Sequence, residues 1–171
     1  MSILTKNEIL KRIKVKQIII KPYKPRLISS ASIDLRLGKQ FRVFLPIKAV
    51  YHLNKQADYR DITKLITLKD SYFLLMPGQT VHGITIESIT LPNNICGWIE
   101  GKSSIGRLGL MIHNTAGFIN PGFSGKQVLE ITNAGPVPLA LYPDTPICQV
   151  VLNTTIGEAA YQGQFKNQKT P

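Results

Sequence analysis

From residue 72 to residue 152 the chain repeats one pattern: a few alternating or apolar residues, then Pro, Gly, Asn or Asp. Residues 72–75 run into Pro77-Gly78, residues 81–86 alternate, and Pro92-Asn93-Asn94 separates them from residues 95–99. Residues 128–131, 139–141 and 147–152 follow with the same punctuation. A chain interrupted this often cannot build long helices, and apolar segments this short bury themselves by pairing as strands. The pattern implies an all-β fold, a barrel or sandwich of jelly-roll-like form.

The first seventy residues read differently. Thr5-Lys6-Asn7-Glu8 has the form of a capping box, and Ile9, Leu10 and Ile13 lie on one helical face, so a short amphipathic helix is expected over residues 5–15. Residues 18–20 are apolar and stop at Pro22 and Pro25. Residues 32–37 alternate polar with apolar, as a half-buried strand does; Gly38 is read as its end, with Phe41, Val43 and Leu45 resuming the alternation. Residues 48–70 are polar and basic and are expected to include a long loop. The whole chain, 171 residues with 43% apolar and 18% charged side chains, is expected to form one domain, with residues 157–171 as a C-terminal arm.

Charge is uneven. Residues 1–70 hold 16 Lys/Arg against 5 Asp/Glu, whereas residues 71–171 hold 5 against 5, so the net charge of +11 lies wholly in the first part. Such an excess attracts polyanions, but no aromatic interleaving or nucleic-acid motif accompanies it, and a solvated lysine-rich surface is the preferred reading. No nucleic-acid partner is expected. No apolar run approaches the ~20 residues of a membrane span, and the first ten residues lack a signal-peptide core, so no membrane association and a cytoplasmic location are expected. Cys96 and Cys148 lie 52 residues apart without a C-x-x-C pattern and are read as reduced core residues.

Polar groups with chemical potential concentrate between Gly101 and Glu130. Gly101, Lys102, Ser103 and Ser104 place backbone amides, two hydroxyls and an ammonium together, the inventory that replaces a phosphate's hydration shell. The same four residues also suit an ordinary turn. Arg107 follows, and Glu130 is a lone carboxylate between Leu129 and Ile131. If it is buried, it is poised for proton transfer; if it shares the outward face with Val128, it is an ordinary strand residue. His52, His82 and His113 stand singly and are read as packing residues. H-E-x-x-H, paired Cys/His sets, the H-x-E with P-C-x-x-C pair, the P-loop and G-x-G-x-x-G are all missing, which leaves no zinc route to hydrolytic deamination and no dinucleotide fingerprint.

Taken together, GKSS-I-GRLGL, H-x-TAG-F-I, PGFSG and VLE resemble the dCTP deaminase family, which groups with the dUTPases in one β-barrel superfamily. Ala31-Ser32-Ile33-Asp34-Leu35-Arg36-Leu37-Gly38 looks like the family's N-terminal signature, Glu87 before Leu91-Pro92 like a second, and Tyr161-Gln162-Gly163-Gln164 like its C-terminal nucleotide-covering motif. The resemblance implies a distorted jelly-roll-like barrel of the dUTPase type and zinc-independent hydrolysis of dCTP to dUTP and ammonia. It also implies that Lys102, Ser103 and Ser104 hold the triphosphate, with Mg²⁺ on the phosphates rather than on protein ligands. Ser103, Arg107 and the Ala116 carbonyl would place the attacking water, and Glu130 would act as general base. Val128 and Leu129 would read the pyrimidine edge through their backbone, while Tyr161 and Gln164 close over the phosphates. Homotrimers with sites between subunits are implied too, so that Arg107 or Gln164 can serve a neighbour.

Gly117 and Gln149 resemble the subclass that carries the product on to dUMP and diphosphate. Asn120 departs from the resemblance, standing where the family has Asp, beside the sugar. An amide can hydrogen-bond a hydroxyl but cannot accept a proton, so deamination is expected to tolerate this change better than diphosphate hydrolysis. The tail departs as well: it is shortened before Tyr161, carries Ala160 where Lys is common, and stops at Pro171. Two other functions remain open at this stage: a dUTPase that does not deaminate, and a catalytically impaired nucleotide- or nucleic-acid-binding relative.

Overall fold

The computed structural model describes residues 2–69, 71–113 and 115–171. Position 70, at the end of the expected loop, and position 114, the variable residue of H-x-TAG, lie outside the described residues.

A helix α1 (Lys6–Lys14) precedes strands β1 (Ile19–Lys21), β2 (Ile33–Phe44), β3 (Thr63–Thr67), β4 (Phe73–Leu75), β5 (Thr80–Thr90) and β6 (Ile95–Gly101). A single helical turn α2 (Ser103–Gly106) leads to β7 (Leu110–Ile112), β8 (Phe118–Ile119), β9 (Ser124–Asn133), β10 (Leu139–Leu141) and β11 (Pro146–Thr154). Nine strands form one antiparallel sheet in the order β7-β9-β5-β2-β11-β6-β8, with β1 added to β5 and β3 to β2; β10 and β4 pair separately. The expected all-β architecture with one short N-terminal helix is what forms.

The sheet turns on β2, whose first half pairs with β11 (Ile33↔Val150, Leu35↔Cys148) and whose second half pairs with β5 (Phe41↔Gly83, Val43↔Val81). Strands that change partners this way pass between layers at a bulge, and both β2 and β5 lose regular register there. Gly38 sits at this crossing. It does not end the strand as expected: a Cβ at Gly38 would lie 2.8 Å from the Ile84 carbonyl oxygen, so glycine lets two backbones pass in contact.

Broken ladders leave backbone polar groups without partners, and side chains replace them. Glu87, fully buried, accepts the Arg36 backbone N–H on Oε2 (2.8 Å) and the Arg36 guanidinium Nε–H on Oε1 (2.6 Å). Arg36 also pairs with Asp144. The Thr85 hydroxyl donates to the Glu87 carbonyl (2.7 Å) and accepts from the Gln127 backbone N–H (2.9 Å). Two of the signature segments, around Arg36 and Glu87, therefore brace the corner of the sheet.

Inside the curl lie Leu35, Leu37, Ile84, Leu129, Ile131 and the Phe41 ring, which stacks on Phe73 with centroids 4.8 Å apart. Helix α1 docks through Ile9, which is fully buried and contributes roughly 1.5–3 kcal/mol. The expected capping box does not form: Thr5 is the N-cap residue but its side chain makes no capping bond, and Glu8 instead pairs with Arg12 (3.0 Å) one turn on. Lys11, Arg12 and Lys14 fall in the last turn, where the helix dipole favours cations. The expected loop of residues 48–70 contains a strand, β3, paired along the outer half of β2. Cys96 and Cys148 are free and buried. Among the described residues no helix is long and apolar enough to cross a membrane.

Candidate active site

Strand β9 alternates strictly. Gly125, Gln127, Leu129, Ile131 and Asn133 face the core, whereas Lys126, Val128 and Glu130 face away from it. Glu130 is consequently not sunk among apolar side chains; it shares the Val128 face and is half-buried there, at the wall of a cavity of about 380 Å³. A nucleoside fits a volume of this order. The Thr115 hydroxyl donates to Glu130 Oε2 (3.0 Å) and approaches Oε1 (3.3 Å), fixing the carboxylate. The Glu130 backbone carbonyl accepts the His113 N–H at 2.7 Å.

The segment from His113 to Phe123 forms a second wall. His113 has a left-handed backbone (φ 56°), which turns its ring so that Nε2 contacts the Ala116 carbonyl oxygen at 2.8 Å. The oxygen expected to hold a water thus already has a partner, and His113, expected to be packing, lines the cavity. Phe118, Ile119, Asn120 and Phe123 complete this wall. Asn120 thus lines the cavity beside Ile119.

Residues from the C-terminal segment form a further wall of the cavity. Tyr161 donates its backbone N–H to the Pro121 carbonyl (2.9 Å), and its ring lies against Phe123 (centroids 5.9 Å). Farther on, Asn167 N–H bonds to the Ser124 carbonyl (2.7 Å), and the Lys126 N–H bonds to the Gln168 carbonyl (3.1 Å). Gly122 makes this passage possible, because with φ +70° a Cβ there would stand 3.1 Å from Ala160 Cα. Tyr161, Phe165 and Gln168 line the cavity; Gln164, expected to close over phosphate, is exposed and outside it.

The remaining expected residues gather elsewhere on the chain. Lys102, the residue before α2, donates from Nζ to Asp34 Oδ2 (2.6 Å). Gln149 donates from Nε2 to the Gly101 carbonyl (3.1 Å) and accepts the Ser32 hydroxyl (2.9 Å), which ties β11 to the β2 signature and to the Gly101 turn. Ser103, Ser104 and Arg107 project from α2 into solvent, and none of them lines the cavity. The expected residues thus fall in two places: Glu130, Ala116, Asn120, Val128 and Tyr161 line the cavity, whereas Lys102, paired with Asp34, and the exposed Ser103, Ser104 and Arg107 stand at a separate turn. The Leu129 side chain is in the core.

Tyr59 and His82 line the cavity too; the sequence reading passed over Tyr59 and gave His82 only a packing role. His82 lies on the non-core face of β5 beside fully buried Val81, so alternation would have placed it facing away from the core. Burial nevertheless depresses the basicity of its imidazole, with nearby Arg42 acting in the same sense and Glu130 opposing.

The fold has solved counterparts. It superposes on a 2'-deoxycytidine 5'-triphosphate deaminase from Agrobacterium tumefaciens with a TM-score of 0.67 at 22% identity, covering 88% of this chain and 47% of that one. The present chain thus spans about half the length of that enzyme. A dUTPase of Staphylococcus bacteriophage 80alpha superposes with a TM-score of 0.51 at 11% identity over 86% of this chain and 96% of the phage protein. The architecture is therefore the jelly-roll type shared by these nucleotide hydrolases. Residues 3–155 match the family model described as dCTP deaminase-like, and the chain belongs to that family. A "dCTP deaminase, dUMP-forming" from Nocardioides sp. is 39% identical over 99% of this chain and 92% of its own length. Another of the same description, from Corynebacterium kroppenstedtii, is 39% identical over 89% of this chain and 85% of its own.

Proposed function

We propose that the protein hydrolyses dCTP to dUTP and ammonia without zinc, and carries the product on to dUMP and diphosphate in the cytoplasm. The observation that carries this reading is Glu130: a carboxylate fixed by Thr115 on the wall of a nucleoside-sized cavity, beside the Ala116 carbonyl. Water attacks C4 of cytosine as Glu130 takes one of its protons; Glu130 delivers that proton to the amine, which leaves as ammonia when the C4–N bond breaks, and the second proton of the water ends on N3 of the uracil. Ser103 and Arg107 position the water and the ring, and the Val128 and Leu129 backbone reads the pyrimidine edge. Lys102, Ser103, Ser104 and Gln149 belong to the triphosphate side, with Tyr161 and Gln164 of the arm closing over it.

Lys102 and the two serines offer hydrogen-bond donors and positive charge, which suit phosphate oxygens and not a cation. Among the described residues no three His, Cys, Asp or Glu side chains gather as a metal cage. In this reading Mg²⁺ would be held by the phosphates, where it would offset their charge. Incubation with dCTP and Mg²⁺ tests the reading: ammonia and dUMP are expected, dUTP alone would remove the second step, and no ammonia would remove the deaminase. Turnover of dUTP without ammonia release from dCTP identifies a plain dUTPase.

Asn120 bears on the second step, because no proton can be taken up there. Asn120→Asp is expected to raise dUMP formation from dUTP by about tenfold or more with little change in ammonia release. An unchanged ratio of dUMP to dUTP would show that Asn120 is not what limits diphosphate hydrolysis.

The separation of Lys102, Ser103, Ser104 and Arg107 from the cavity supports a homotrimer with sites shared between subunits. Co-expressing Arg107→Ala with Glu130→Gln chains is therefore expected to restore up to about a quarter of wild-type activity, since random association pairs an intact turn with an intact cavity that often. Two variants that stay inactive together would place the whole site within one chain.

A further inference from the structure

Strands β2, β5 and β9 set three polar side chains in one row. Arg42 of β2 is the register partner of His82, and His82 is the register partner of Glu130 on β9. Side chains at paired positions project from the same face, about 5 Å apart at Cβ. His82 and Glu130 both line the cavity. The imidazole is also clamped: Phe44 meets it edge-on at 5.3 Å and Tyr59 at 5.7 Å between centroids. Arg42 in turn lies over the Tyr59 ring at 5.3 Å. A histidine needs no such clamp to fill space.

We propose that His82 is a positioning residue for Glu130: as a neutral imidazole one strand away it leaves the carboxylate basic enough to take the proton from water, and its protonation switches the site off in acid. The inference rests on the deaminase reading of Glu130. Its electrostatics are those of a charge placed beside a general base. A cation at His82 would stabilise the ionised carboxylate, and a stabilised carboxylate is a weaker proton acceptor. The groups around His82 decide when that cation appears. Arg42 faces it from β2, Tyr59 from the turn before β3, and Glu130 from β9, while His113, Lys126 and Tyr161 stand farther around the cavity. Burial and Arg42 disfavour the charged form and Glu130 favours it, with burial the largest influence. The imidazole is therefore neutral at neutral pH and becomes charged only below the usual histidine midpoint of about 6.5.

Two measurements separate this from a packing role. The first follows the His82 ring proton by NMR through a pH titration, its signal assigned by its loss in His82→Gln. In Glu130→Gln the carboxylate that favours the charged form is gone, so the His82 midpoint is expected to fall by about half a pH unit or more. The second is the pH dependence of kcat with dCTP. Wild type is expected to lose activity as His82 becomes charged, whereas His82→Leu and His82→Gln keep their activity to lower pH. A packing role would lower kcat evenly at all pH values and leave the limb in place. An unchanged midpoint in Glu130→Gln, or an unmoved acid limb in both His82 variants, overturns the proposal. If wild type releases no ammonia from dCTP, the deaminase reading falls with the proposal's role for His82, while the NMR titration still reports whether the two groups are coupled.

Discussion

Glu130→Gln is expected to lower ammonia release from dCTP by about a thousandfold, while the dissociation constant for dCTP changes no more than a few-fold. The magnitude is that of removing a positioned general base, typically 10²–10⁴ in rate. Binding survives because glutamine keeps the shape and an oxygen that can accept the Thr115 hydroxyl, which holds the carboxylate at 3.0 Å. Proton transfer does not survive, because an amide can neither take the proton from water nor return it to the amine. Single-turnover ammonia release and calorimetric dCTP binding, made on the same preparation, check both halves. A variant with full activity would remove Glu130 from the chemistry, and one that loses binding as well would make it a substrate contact.

The second large effect concerns the fold. Glu87→Ala is expected to destabilise the protein by about 3–5 kcal/mol, because it leaves the buried Arg36 guanidinium without its buried partner. The variant also strips the Arg36 backbone N–H of its acceptor at the bulge, where no ladder bond replaces it. The remaining pair with Asp144 reaches toward solvent and compensates only weakly. Replacing both members, as in Arg36→Met with Glu87→Leu, is expected to recover part of the loss, since an apolar pair carries no desolvation cost. Urea unfolding of the single and double variants measures the difference. A Glu87→Ala protein as stable as wild type would show that solvent reaches this corner.

Much of this protein is legible before it folds. Residues 139–141 are read as a strand and form one, β10, because Gly, Pro and Asp on either side leave them no other regular structure. Helix α1 follows from its apolar spacing alone, although its cap does not. The motif from Gly101 to Glu130 names the family, since its residue types stand at set spacings. Strand β3 escaped notice because it is a partner strand: Thr63-Lys64-Leu65-Ile66-Thr67 has little apolar content to bury and is held by pairing with β2. Gly38 was read as a stop for the same reason, because glycine's usual meaning in a strand changes when a second backbone passes against it.

The sequence by itself determined the β-rich class and the family, both of which depend on residue type and local order. Only the tertiary structure decided which way Glu130 points, that Ser103, Ser104 and Arg107 stand apart from its cavity, and that His82 is its neighbour. Those are matters of strand register, and register joins residues 48 positions apart in the chain, as His82 and Glu130 are. Their proximity comes from the burial of Val81, Leu129 and Ile131 on the opposite face, which allows one pairing of the strands and no other.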